Sequence, residues 1–160
     1  MEPNMHIFND GPELAEKLAG DVAAYLKAAI EERGAASMAV SGGSTPKLFF
    51  QTLSKHQLEW PRVSITLVDE RFVPPDNDRS NHKLVAENLL QNEAKAAYFV
   101  PLYQSAASPD DAATLATART ADICDPFDIV ILGMGTDGHT ASFFPGGGVD
   151  RRDFDADIGW

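Results

Sequence analysis

A single cysteine, Cys124, stands in 160 residues, so no disulfide can form within the chain. The opening Met1-Glu2-Pro3-Asn4 lacks the basic-then-apolar order of a secretory leader. No apolar run approaches the roughly 20 residues that a membrane-spanning helix needs. Basic residues are few, 13 Lys and Arg against 24 Asp and Glu, for a formal net charge of -11. They are scattered without a cluster, which excludes the usual electrostatic footprint for nucleic acid or an anionic membrane. Internal repeats and low-complexity linkers are missing as well. These absences predict a soluble, cytoplasmic protein, and any anionic ligand would have to be drawn by a local pocket. What is present, 44% hydrophobic and 23% charged residues, suits one globular domain with a buried core.

Apolar residues at Leu14, Leu18, Val22, Tyr25, Leu26 and Ile30 recur at three- and four-residue steps. They predict a helix over Pro12 to Arg33, with Asp10 as its cap and Gly34 as its stop. Met38 to Val40 reads as a strand, and after the turn Ser41-Gly42-Gly43-Ser44-Thr45-Pro46 the residues Leu48, Phe49, Phe50 and Leu53 suggest a second helix. Val63 to Val68 is the next strand, Pro74 to Ser80 a loop, and a helix starts near Asn81. A strand at Tyr98 to Leu102 precedes the capping pattern Ser108-Pro109-Asp110-Asp111, which opens a helix to about Ile123. Phe127 to Leu132 is an almost unbroken β-favouring run, as expected for a strand covered on both faces. Such alternation argues for a parallel sheet with helices on both faces, whose ligands bind beyond the carboxyl ends of the strands.

Three polar segments fall at that rim: Ser41 to Pro46, Asp69 to Asn81, and Gly133 to Pro145. In the first, Gly42 and Gly43 allow a ligand close to the backbone and Ser44 and Thr45 offer hydroxyls, features that suit a phosphate. The spacing is not that of a Walker loop, and a simple Ser or Thr helix cap explains the segment equally well. In the second, Asp69, Glu70 and Arg71 would be costly at the end of a buried strand unless they pair or bind something. Arg71 can fork onto a phosphate or carboxylate, and a surface ion-pair network is the alternative. Arg79, Ser80 and Asn81 could cap the following helix, touch a ligand, or both. In the third, His139 can accept a proton from water while Asp137 orients its ring. His6 and His56 read as structural histidines and His82 as helix-associated. Gly133, Gly135 and Gly138 also spell a dinucleotide fingerprint, but Pro145 and the glycines Gly146 to Gly148 interrupt the long helix that fingerprint requires.

Taken together, Ser41-Gly-Gly-Ser-Thr-Pro46, Val68-Asp-Glu-Arg-Phe-Val-Pro74 with Ser80-Asn81, and Gly133-Met-Gly-Thr-Asp-Gly-His-Thr-Ala-Ser-Phe-Phe-Pro-Gly146 resemble the 6-phosphogluconolactonase family, related in fold to glucosamine-6-phosphate isomerase/deaminase. The resemblance implies an α/β fold, a single Rossmann-like domain whose mostly parallel sheet is flanked by helices on both faces. It also implies hydrolysis of 6-phospho-D-glucono-1,5-lactone to 6-phosphogluconate, a step of the oxidative pentose phosphate pathway, with no metal or organic cofactor. His139 becomes the general base and Asp137 its positioning partner. Ser41, Gly42, Gly43, Ser44, Thr45, Asp69, Glu70, Arg71 and Arg79 fall to substrate and phosphate binding. An isomerase/deaminase-like enzyme and a noncatalytic sugar-phosphate binder are the alternatives. Family members normally continue beyond the Phe-Phe-Pro-Gly segment, so residues 1–160 are expected to form one C-terminally shortened lactonase domain.

Overall fold

Asp10 starts the first helix by accepting a hydrogen bond from the Glu13 N–H at 2.9 Å, and Gly34 ends it in the left-handed region at φ 80°. This helix, α1, spans Gly11–Arg33, so the predicted start and stop signals both act where the sequence placed them. The computed structural model describes residues 4–123 and 126–147; Cys124 and the segment from Gly148 to Trp160 lie outside them. The remaining elements are β1 (Ala36–Val40), α2 (Lys47–Leu53), β2 (Val63–Leu67), α3 (Asn81–Asn88), β3 (Tyr98–Phe99), α4 (Pro109–Thr120) and β4 (Ile129–Ile131). A 3-10 turn at Trp60–Arg62 leads into β2, and another at Asn92–Ala96 leads into β3.

Among the described residues all strand pairs are parallel, and the sheet order is β3-β2-β1-β4. The chain therefore adds β2 and β3 on one side of β1, then crosses back to place β4 on the other. Right-handed crossovers put α2 and α3 on one face and α4 on the opposite face after that reversal. Packing agrees. One apolar cluster joins Val22, Leu26 and Ile30 of α1, Phe49, Phe50 and Leu53 of α2, and Val85 of α3 to Met38, Val40, Val63, Ile65 and Leu67 of the sheet, while the buried Ala112 and Ala116 of α4 stand outside it. Trp60 is fully buried in the same cluster, and its indole N–H donates to the His56 carbonyl at 2.9 Å. No helix of the described residues is long and apolar enough to cross a membrane.

Two strands are shorter or more open than their sequences suggest. β3 stops at Phe99 because Pro101 has no N–H to continue a ladder, although the Val100 N–H still reaches the Ile65 carbonyl at 2.8 Å. β4 is not covered on both faces by the described residues. Ile129 and Ile131 pack against the core, but Val130 and Leu132 are 49% and 57% exposed. A continuous apolar run reports a high burial potential without saying which face will be covered. Asp128 fixes the start of this strand by accepting from the Ser37 N–H at 2.7 Å and pairing with Arg33. The order reversal opens a crevice between the carboxyl ends of β1 and β4, where the first and third polar segments emerge.

Candidate active site

The end of β1 contributes one residue that holds the fold and four that are open to a ligand. Ser41 is buried; its hydroxyl donates to the Ile131 carbonyl at 2.9 Å and accepts from the Gly133 N–H at 3.3 Å, tying β1 to β4. The following turn carries Gly43 at φ 92°. The N–H groups of Gly42, Gly43, Ser44 and Thr45 and the hydroxyls of Ser44 and Thr45 donate to no group among the described residues. α2 takes Pro46 as its cap residue, with no side-chain capping bond, so Ser44 and Thr45 are not the helix caps their types would allow. Unbonded N–H groups around a positive-φ glycine form a concave donor set for an oxyanion.

The end of β2 is organised by Glu70. Its carboxylate accepts from the N–H groups of Arg71, Asn81 and His82, each at 2.8 Å, and from the Ser80 hydroxyl at 3.1 Å. Ser80 in turn caps α3 by accepting from the Lys83 N–H. A carboxylate suits the positive end of that helix, and its acceptor capacity is taken up there. Arg71 makes no ion pair among the described residues; its guanidinium donates to the Arg79 carbonyl at 2.7 Å, which leaves further donors free. The expected alternative of an Asp69–Glu70–Arg71 ion-pair network is therefore not what forms. Behind this loop His82 packs against Phe99 with ring centroids 4.6 Å apart and the planes tilted by 43°, and its buried Nδ1 has no hydrogen-bond partner among the described residues. Burial holds its pKa below the ordinary imidazole value, an effect partly offset by the charge of Glu70.

Asp69 joins three segments. Its carbonyl accepts from the Asn81 amide at 2.9 Å, and its carboxylate accepts from the Ser142 hydroxyl at 2.7 Å. Asp69, through its carbonyl and its carboxylate, is thus a clasp between α3 and the loop after β4. This clasp links positions 73 residues apart, and no local spacing could have announced it. Gly42 packs directly on the same assembly, since a Cβ there would come within 1.9 Å of Asn81 Oδ1. Asn81 is 2% exposed and held by Asp69, so it has little room to yield. Gly42→Ala is expected to cost about 1–3 kcal/mol through overpacking. A thermal melt several degrees lower checks this, whereas an unchanged melt would show that Asn81 turns away freely.

The loop after β4 holds Asp137 and His139 against each other. His139 Nδ1 lies 2.5 Å from Asp137 Oδ1, and the His139 N–H donates to the same oxygen at 3.2 Å. A carboxylate can only accept, so Nδ1 carries the proton and Nε2 presents its lone pair outward. The imidazole hydrogen bond, then the backbone one, holds the Asp137 pKa below the ordinary carboxylate value. The ring stacks on Phe144 with centroids 4.7 Å apart. Gly135 donates to the His139 carbonyl at 2.8 Å, Gly138 turns at φ 89°, and the Thr140 hydroxyl reaches the Gly133 carbonyl at 2.8 Å. Thr140 and Phe143 then bridge across a tight turn with Ala141 at φ 48°. No helix follows the glycines within the described residues, so the dinucleotide fingerprint does not adopt its expected context.

A cavity of about 410 Å³ brings the segments together, lined by Gly42 to Thr45, Asp69, Arg71, Asn81, Gly133, Gly135 and His139 among others. Asp137 reaches it only through His139, while Glu70 and Arg79 are not on its wall. Among the described residues no group of three or more His, Cys, Asp or Glu side chains is arranged to hold a metal ion.

Comparison with known proteins places these features in context. The sequence pattern of the family described as glucosamine-6-phosphate isomerases/6-phosphogluconolactonase matches residues 9–153. A 6-phosphogluconolactonase of Rhizobium meliloti is 64% identical over 147 residues, which cover 92% of this chain and 63% of that protein. The 6-phosphogluconolactonase of Pseudomonas aeruginosa is 44% identical over 141 residues, covering 88% and 59%. A 6-phosphogluconolactonase crystal structure from Shewanella baltica superposes with a TM-score of 0.84 at 46% identity, covering 86% of this chain and 59% of the other. One from Thermotoga maritima gives 0.77 at 28% identity, covering 88% and 63%. The chain thus spans about three fifths of the length of the curated relatives it matches.

Proposed function

The chain belongs to the glucosamine-6-phosphate isomerase/6-phosphogluconolactonase family, and from that membership we propose that it hydrolyses 6-phospho-D-glucono-1,5-lactone to 6-phosphogluconate. The observation that carries the reading is the Asp137–His139 pair at 2.5 Å, whose histidine lines the same cavity as the unbonded N–H groups of the Gly42 to Thr45 turn. One wall supplies a base and the other supplies donors, the two requirements of water attack on an ester carbonyl.

In this mechanism His139 Nε2 takes a proton from water as the water oxygen bonds to the lactone carbonyl carbon. The carbonyl electrons move onto oxygen, and the oxyanion is met by backbone N–H groups of the turn and by Arg71. Collapse re-forms the carbonyl and breaks its bond to the ring oxygen, which takes the proton back from His139. The product carboxylic acid then ionises at neutral pH, so each turnover releases one proton. Asp137 fixes the tautomer and steadies the transient imidazolium. Ser44, Thr45, Arg71 and Arg79 serve the phosphate and sugar oxygens. Ser41, Asp69 and Glu70 act by holding the β1 and β4 ends, the Ser142 loop and Arg71 in place.

The test is acid release from freshly generated lactone at near-neutral pH, with spontaneous opening subtracted. Acceleration proportional to chain concentration is expected, with no ammonia released from glucosamine 6-phosphate. Binding of 6-phosphogluconate without any acceleration would overturn the hydrolytic reading and favour a sugar-phosphate binder.

A further inference from the structure

Two successive turns bring Phe144 back onto His139. In the first, the Phe143 N–H donates to the Thr140 carbonyl at 2.9 Å, Ala141 stands at φ 48°, and the Ser142 hydroxyl pins the turn to Asp69. In the second, the Gly147 N–H donates to the Phe144 carbonyl at 2.9 Å across Pro145 and Gly146, the latter at φ 75°. Proline followed by a positive-φ glycine is the sequence a type II turn favours, and a residue before proline is kept out of helical backbone. The Pro145-Gly146 pair that breaks the dinucleotide fingerprint therefore also fixes the backbone of Phe144. Its phenyl ring stacks on the imidazole, with centroids 4.7 Å apart and planes 27° from parallel. Phe144 is 54% exposed, stands outside the apolar cluster and does not line the cavity that His139 faces. Neither core packing nor contact with a ligand in that cavity explains its place.

We propose that Phe144 is a positioning residue for the general base: its ring holds the His139 imidazole against Asp137 and steadies the imidazolium that forms when the base takes its proton. This rests on the lactonase reading, in which His139 is charged only between water attack and ring opening. Three contacts confine the imidazole: Asp137 at Nδ1, Gly135 along the Cε1–Nδ1 edge, and Phe144 on a face. The first two act at one edge and leave the ring able to tilt about the Nδ1 bond. A phenyl ring stacked on the face opposes that tilt. The face of a phenyl ring also carries negative charge density, and a cation within about 6 Å of its centroid is attracted to it. Neutral imidazole gains little from this. The attraction grows as His139 takes a proton from water, so it lowers the barrier and leaves substrate binding alone.

The experiment measures kcat and KM for lactone opening by the full chain, together with the Nδ1 proton resonance of His139, assigned by its absence from His139→Ala. The proteins are the parent, Phe144→Tyr, Phe144→Leu and Phe144→Ala. Melting temperatures near the parent's are expected throughout, because Phe144 lies outside the apolar cluster. Phe144→Leu keeps apolar bulk on the imidazole but loses the ring face, so kcat should fall about two- to fivefold, the worth of a cation–π contact at a half-exposed site, with KM unchanged and the Nδ1 signal kept. Phe144→Ala frees the ring as well, so kcat should fall roughly tenfold or more and the Nδ1 signal should weaken. Phe144→Tyr should restore both. Parental kcat in the leucine variant, a loss in KM alone, or a tyrosine variant no better than leucine overturns the proposal. Were the parent to show no turnover, the hydrolytic reading would fall, and the Nδ1 signal would still judge the placement. A signal strong in the parent and tyrosine variant but weak in the alanine variant upholds it, and one equal in all overturns it.

Discussion

Replacing His139 by alanine is expected to lower enzyme-dependent lactone opening by roughly 10²–10⁴-fold, the usual contribution of a positioned general base. The residue stands in a loop outside the apolar cluster, and its side chain is 35% exposed, so the fold should survive the change with a near-parental melting temperature. Loss of rate without loss of structure separates chemistry from packing. The pH profile adds a second reading. Only a neutral imidazole can take a proton, so the general-base role requires the rate to fall on the acid side of the profile. Asp137 does not set that limb: its depressed pKa means that the carboxylate is ionised above the ordinary carboxylate range and is lost only as pH falls through the lower value. Parental rates in the alanine variant, or an acid limb with carboxylate character, would remove His139 from the base role.

Much of this site could be read from residue types because the signals were local. Asp10 and Gly34 bracket α1 through bonds spanning three or four residues, and Ser108 caps α4 in the same way. Alternation of apolar strands with helical periods gave the parallel sheet, and hence the rim on which three polar segments meet. The Asp137–His139 contact was legible for the same reason, since two residues in a glycine turn have few places to go. What stayed hidden depends on tertiary partners. Glu70 looked like a ligand-binding carboxylate, yet α3 returns 11 residues later and presents N–H groups to it. Ser41 looked like a phosphate contact, but β4 arrives 90 residues later with the Ile131 carbonyl. Ser44 and Thr45 invert the pattern: their types allow capping, and only the Pro46 cap shows that they are left open. Polarity at the rim could be predicted, but its division between holding the fold and meeting a ligand required the three-dimensional partners.

That division makes glycines informative, because two of them look alike in sequence and should fail differently. Neither Gly42 nor Gly135 has a positive φ, so alanine strains neither backbone, and the added Cβ meets one side chain at Gly42 and two at Gly135. At Gly42 that side chain is the buried Asn81, and the loss should appear in stability. At Gly135 the Cβ would lie 2.2 Å from both Cε1 and Nδ1 of His139 and 2.8 Å from Asp137 Oδ1. The ring is partly exposed and can swing away, so Gly135→Ala should leave the melting temperature nearly unchanged. To reach ordinary contact, however, the imidazole must move by about 1 Å, and a misplacement of that size can cost roughly 10²-fold in rate. It must also loosen the bond that fixes its tautomer, so the downfield Nδ1 proton resonance expected of the parent should weaken or vanish. Retained activity alongside a lost Nδ1 signal would mean that the Asp137 contact is dispensable. Retained activity with the signal intact would mean that the loop absorbs the methyl group elsewhere, and that the close packing of Gly135 on the imidazole does not position the base. The expected combination, a stable protein with an ordinary melt, a displaced histidine and a rate near that of His139→Ala, would show that the placement of the imidazole against Asp137, as much as its presence, makes it a base.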